Sequence, residues 1–274
     1  MIRFLLAVGL LLTALGAARA QRLESQAAPY KAGQRVALRL REAQRIEVKS
    51  GDELRVTAHV SLNNNQQNEA YTLVQESTPD EVLFTEKLDL GVLRKTVYQG
   101  ECHGIRNNSG DWSQGPASGG YSYCARLDYE VTVPAGAEVH LSTTCGDVYV
   151  HDLTGAVFIT DVSGSLKLAG VRGPVVAKTV SGYVEVDSPG TAPLMASSTS
   201  GNVEVSWPPT QNAALNMQTT SGTATAEPAP QPGLPKPARY VGRQLQANYG
   251  SGSGEFVPVR LQAASGNVVF RQAK

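Results

Sequence analysis

Between Cys145 and Asp187 the chain alternates apolar and polar residues in short, evenly spaced bursts. Glycine stands at 146, 155, 164, 173 and 182, nine residues apart each time. Two residues after each glycine come Val148, Val157, Leu166, Val175 and Val184; four after come Val150, Ile159, Leu168, Ala177 and Val186. Seven after come Leu153, Val162, Val171 and Val180, with Pro189 breaking the series. Offsets two and four flank a polar position, so each unit predicts a short strand with two side chains on one face. Offset seven lies beyond that strand and is expected to turn inward at a corner. A nine-residue unit has too little apolar surface to fold alone, so neighbours must stack around a shared interior. The pattern predicts an all-β chain built as a β-solenoid.

The period doubles on inspection. Ser or Cys precedes glycine at 145, 163 and 181 but not at 154 or 172, so two units make one coil of about 18 residues. Like positions then stack about 4.8 Å apart. Gly146, Gly164, Gly182, Gly201, Gly222 and Gly266 are read as one column of turns. There glycine tolerates positive φ, and the preceding Ser hydroxyl satisfies turn amides. About six coils are expected over 135–274, the last resuming after a Pro-rich insertion at 227–240. Residues 21–134 hold strand-like runs without the nine-residue rule, predicting either irregular early coils or a separate β cap that covers the solenoid end.

Outside the repeat, residues 1–20 carry a basic residue, an apolar run and an Ala-x-Ala site, the pattern of a secretory signal peptide. No later run is long enough to span a membrane by a helix. The expected location is therefore periplasm, outer surface or extracellular space. Lys plus Arg number 24 and Asp plus Glu 24, with no basic run, so nucleic acid is not an expected partner. Cys102 and Cys124 flank a loop rich in Gly, Ser and Asn, and their pairing would close it; Cys145 is left over in the turn column.

Candidate chemistry is sparse. His59, His103, His140 and His151 share no metal-ligand spacing, no G-x-S-x-G occurs, and neither a metal nor a cofactor is expected. Asp147, Asp152, Asp161 and Asp187 fall at different offsets and read as solvated turn acids rather than the paired carboxylates of a glycosidase. A hexapeptide solenoid fails beyond 186, and a calcium-binding nonapeptide solenoid would need Gly-Gly-x-Gly-x-Asp units that do not recur. At offset three, Tyr149, Lys167 and Glu185 make one outer face polar, while Phe158 and Val176 make the other partly apolar. Phe158 and Val176 are the expected interface, toward the N-terminal region or a partner.

The stretch "YEVTVPAGAEVHLSTTCGDVYV", the T-x-SG-x-V-x-V units and the closing "ASGNVVF" resemble the putative-adhesin β-strand-repeat domain, a domain of unknown function in exported bacterial proteins. The resemblance spans roughly 30–274. It implies a fold similar to single-stranded right-handed β-helices and brings no catalytic residue with it. Cys145, the Cys102 to Cys124 loop and the Pro-rich insertion depart from the family pattern. The expected function is that of an exported, non-enzymatic adhesin or envelope scaffold whose partner is a protein or glycan of the cell envelope. The alternatives are a polysaccharide-processing β-helix enzyme and a periplasmic envelope-maintenance or signalling protein.

Overall fold

The computed structural model describes residues 20–95, 97–109, 121–187, 189–227, 243–250 and 255–273. The signal peptide expected over 1–20, save Ala20, and the Pro-rich insertion, save Glu227, lie outside the described residues. So does most of the loop before Cys124.

Alternation of apolar and polar residues, with Gly, Asn and Pro between the runs, produces strands almost throughout. The N-terminal region gives β1 (Arg22–Ala28), β2 (Arg35–Arg39), β3 (Arg45–Gly51), β4 (Leu54–Leu62), β5 (Tyr71–Ser77), β6 (Glu81–Leu88), β7 (Ile105–Ser109) and β8 (Tyr121–Pro134). The repeats begin with β9 (Glu138–Ser142), β10 (Asp147–His151), β11 (Val157–Ser163), β12 (Leu166–Ala169), β13 (Val175–Ser181), β14 (Val184–Asp187), β15 (Leu194–Ser200) and β16 (Val203–Trp207). They finish with β17 (Ala213–Ser221), β18 (Ala224–Glu227), β19 (Arg243–Tyr249), β20 (Val257–Ser265) and β21 (Val268–Gln272).

Among the described residues these form two open, mixed sheets around one interior. The first runs β1-β4-β8-β3-β10-β12-β14-β16-β21-β18, with β7 also on β8; the second runs β19-β17-β20-β15-β13-β11-β9-β2-β6-β5. The central strands are parallel and the chain alternates between sheets. In the first sheet Val148 pairs with Leu166, Leu166 with Val184, and Val184 with Val203, at intervals of 18, 18 and 19 residues. Antiparallel strands stand at three of the four edges: β1 on β4 at one end of the first sheet, β5 on β6 and β19 on β17 at the two ends of the second.

The interior is made of columns that continue through the N-terminal region. One runs Ile46, Val148, Leu166, Val184, Val203, Val268; its counterpart across the core runs Val36, Val139, Val157, Val175, Leu194, Val259. All are buried, each contributing about 1.5–3 kcal/mol by leaving water. Trp207, Phe270 and Tyr249 fill the far end, with Tyr249 and Phe270 rings 4.9 Å apart.

Chain order and spatial order differ at both ends. The coil β2–β3 lies between the strands β6 and β8 on one side and β9–β10 on the other. Likewise β20–β21, expected as the final coil, lies between β15–β16 and β17–β18, so Gly266 sits between Gly201 and Gly222 in the turn column. Sequence spacing could not reveal this, because Ser200, Ser265 and Ser221 are interchangeable in register.

The turn column needs glycine for a second reason beside the expected one. Gly146, Gly164, Gly201 and Gly266 have positive φ, from +94° to +159°, while Gly182 and Gly222 are not among the positive-φ positions. What the column shares is proximity. A Cβ on Gly164, Gly182, Gly201, Gly266 or Gly222 would fall well inside contact distance of the glycine carbonyl oxygen in the neighbouring coil. The Ser side chains here are exposed; the Ser backbone carbonyls do the work, accepting from Gly164 N, Gly182 N, Gly201 N and Gly266 N of adjacent coils.

Offset seven divides in two. Leu153, Val171 and Pro189 point inward as one corner column. Val162 and Val180 instead point outward, 47% and 50% exposed. Strands β11 and β13 run on through Ser163 and Ser181, and strict alternation then places Asp161 and Thr179 inside and the valines outside.

Candidate binding face

The outer surface of the second sheet carries the apolar positions singled out by offset three. Register places Leu83, Ala37, His140, Phe158, Val176 and Met195 side by side on six successive strands, followed by Arg260 and Asn216. They form a stripe across the strands, parallel to the stacking direction. His140 and Phe158 rings lie 4.5 Å apart, and Glu138 holds the imidazole at 2.6 Å. Both rings, Val176 and Met195 are half-buried. The register continues onto the N-terminal region through Ala37 and Leu83, which are buried. The small Ala37 leaves a shallow groove, walled by Arg35, Arg39, Glu81, His140 and Phe158.

Beside the stripe runs a second outward column: Thr85, Arg39, Ser142, Thr160, Lys178, Ser197 and Gln262. Beyond it stand Val162 and Val180. Arg35 is tied to Glu81 at 2.6 Å. The side chains of Arg39, Lys178 and Arg260 have no hydrogen bond, ion pair or ring contact among the described residues.

The outer surface of the first sheet has the same geometry and different chemistry. Its central column reads Glu130, Glu47, Tyr149, Lys167, Glu185, Glu204 and Val269. Arg45 pairs with Glu47 at 3.2 Å and lies over the Tyr149 ring; Lys167 reaches Glu185 at 3.8 Å; Arg271 pairs with Glu204, to which Tyr183 also donates at 2.7 Å.

Titratable groups also occur inside. Asp161, read from sequence as a solvated turn acid, is only 1% exposed. Its inward column runs Asp161, Thr179, Ser198, Ala263 and Thr219. Asp161 accepts from Thr179 Oγ1 at 3.1 Å and Ser163 N at 3.2 Å, while Ser198 and Thr219 donate to glycine carbonyls of the corner. Burial raises the Asp161 carboxyl above its ordinary value, against those hydrogen bonds. Glu86 accepts from Tyr129 Oη at 2.6 Å and Glu42 N at 3.0 Å; burial pushes its carboxyl up to about 7. Sequence reasoning missed both because it followed apolar residues, and the strand alternation that identifies them continues past the last apolar pair.

The other aspartates are not gathered with Asp161. Asp147 opens β10 and accepts from Ser165 N at 3.0 Å, Asp187 closes β14, and Asp152 sits in the turn after β10 with φ 53°. Cys102 and Cys124 form a disulfide with Cα atoms 5.6 Å apart, fastening the loop to β8. Cys145 is a free thiol in the turn column, bridged to Ser163, and burial raises it to about 11. Among the described residues no helix is long and apolar enough to cross a membrane.

A family model described as Toastrack DUF4097 matches residues 104–270. The fold is similar to the crystal structure of a putative cell adhesion protein from Clostridium sporogenes, at 12% identity and TM-score 0.49, covering 93% of this chain and 100% of that one. It is also similar to that of a putative adhesin from Bacteroides fragilis, at 9% identity and TM-score 0.34, covering 93% and 99%. No curated protein matches the chain.

Proposed function

The chain belongs to the Toastrack DUF4097 family, and from that premise we propose that it is an exported right-handed β-solenoid of about 18 residues per coil that works by binding rather than catalysis. The bound surface is the outer face of the second sheet, and the role is adhesion or scaffolding at the cell envelope. The observation that carries this reading is the stripe from His140 to Met195: half-buried side chains, three of them apolar, on the outside of a hydrogen-bonded sheet, where apolar surface open to solvent ordinarily marks an interaction site. A ladder of parallel strands holds such a surface rigid, so binding to it orders few groups and loses little entropy. The carboxylates of the first sheet's outer face support the same reading, since Glu47, Glu185 and Glu204 are engaged by cations.

Protease shaving of intact cells, before and after outer-membrane permeabilisation, tests it. Loss of the chain from intact cells is the result expected of an adhesin. Protection until permeabilisation would confine the chain to the periplasm and replace adhesion with an envelope-maintenance role.

A further inference from the structure

We propose that the outer face of the second sheet binds a linear acidic polysaccharide lying along the stacking direction, across the strands. Sugar rings would rest on His140, Phe158, Val176 and Met195, with carboxylates against Arg39, Lys178 and Arg260. This inference rests on the reading of that face as the bound surface and adds the class of its ligand.

Three observations carry it. The first is shape. The solvent-reachable stripe is one residue wide and crosses four strands about 4.8 Å apart, from His140 to Met195, a site for a long thin ligand rather than for a globular partner, which needs a broad patch. The second is chemistry. A pyranose ring has an apolar C–H face suited to half-buried aromatic and aliphatic side chains and a hydroxyl rim suited to Ser142, Thr160 and Ser197, which line the adjacent column. The third is charge. The side chains of Arg39, Lys178 and Arg260 are without an internal partner among the described residues. Lys178 lies three strands from Arg39 in one column, about 14 Å along the stack, and Arg260 two strands beyond Val176, about 10 Å. Cations at such intervals complement a polymer charged at intervals, whereas a neutral glycan would leave them unanswered. A lipid surface is the poorer fit, because Phe158, Val176 and Met195 are half-buried in their sheet and do not offer the deep apolar face that enters a bilayer.

The test is titration of the mature chain with polygalacturonate, with dextran as the neutral polymer and phosphatidylglycerol vesicles as the anionic membrane. Binding to polygalacturonate that weakens as salt rises, without binding to dextran, is expected. Arg39→Ala with Lys178→Ala should reduce affinity about tenfold or more, and Phe158→Ala should reduce it comparably. Lys167→Ala, on the first sheet, should leave it unchanged. Thermal melts of each variant establish that the fold is intact. Equal binding to dextran, an equal loss with Lys167→Ala, or binding confined to the vesicles would each overturn the proposal. If shaving places the chain on the cell surface and polygalacturonate is not bound, the ligand class fails while adhesion stands. If the chain is protected yet binds through Arg39 and Lys178, the location fails and the ligand class stands.

Discussion

The two outer faces are made by the same ladder and end in opposite states. Along the first sheet's central column, charge is answered locally: Glu47 by Arg45, Lys167 by Glu185, Glu204 by Arg271. On the second, Glu81 answers Arg35 and Glu138 answers His140, but the side chains of Arg39, Lys178 and Arg260, beside Phe158, Val176 and Met195, have no partner among the described residues. The strands below cannot account for the contrast, since both sheets bury equivalent columns of Val, Leu and Ile. A stack of this kind fixes where each outward side chain stands and leaves its identity free. The face proposed to bind is the one that is not closed on itself.

That comparison requires both faces to ride on one rigid stack, and the corner they share is the place to break it. Gly182→Ala puts a methyl group against the Gly164 carbonyl, so the coils must shift apart; a loss of about 3 kcal/mol, the upper end of the usual overpacking cost, is expected in a denaturant melt. A loss well under 1 kcal/mol would show that the corner does not hold the sheets together. The disulfide addresses one sheet only, because Cys124 lies in β8. Replacing Cys102 and Cys124 with Ser should cost about 3 kcal/mol, with faster hydrogen exchange in β4 and β8 and little change in β11 and β13.

Glu86 tests how the sheets are tied, since it stands on β6 of the second and meets Tyr129 on β8 of the first. Its folded pKa of about 7 lies above the ordinary 4.5. The unfolded chain therefore releases this proton first, and the stability the group contributes is full below pH 4.5 and lost as pH rises toward 7. The expected fall is roughly 2–3 kcal/mol, and Glu86→Gln should flatten it in melts across that range. The smallest effect belongs to the first face itself. Lys167→Met removes a half-exposed ion pair with Glu185 and should change stability by no more than about 0.5–1 kcal/mol.

The nine-residue rule made the interior legible: Val148, Leu166 and Val184 align as their offsets require, and so do Val157 and Val175. Phe158 and Val176 were legible as outward neighbours for the same reason. Asp161 and Val162 were not, because polarity and strand direction disagree there, and backbone alternation overrides the transfer preference of a single side chain. The coil β2–β3 was hidden by distance and by its corner, where Ala43-Gln44 stands in place of Ser-Gly and faces Gly146. Its partner strands β9 and β10 lie about a hundred residues on, and pairing at that range leaves no mark in local spacing.

The misplaced coil β20–β21 also sets a timetable. A chain crossing a membrane from its amino end delivers β15 to β18 before β20 and β21 exist outside. Until that pair arrives, the slot between β15–β16 and β17–β18 is either empty, with four unpaired strand edges, or closed prematurely by direct pairing of the two earlier coils in the same Ser-Gly register. The completed molecule requires that shortcut to be avoided or undone. For a chain exported as proposed, arrival of the very last strand is therefore the event that commits it to its native arrangement.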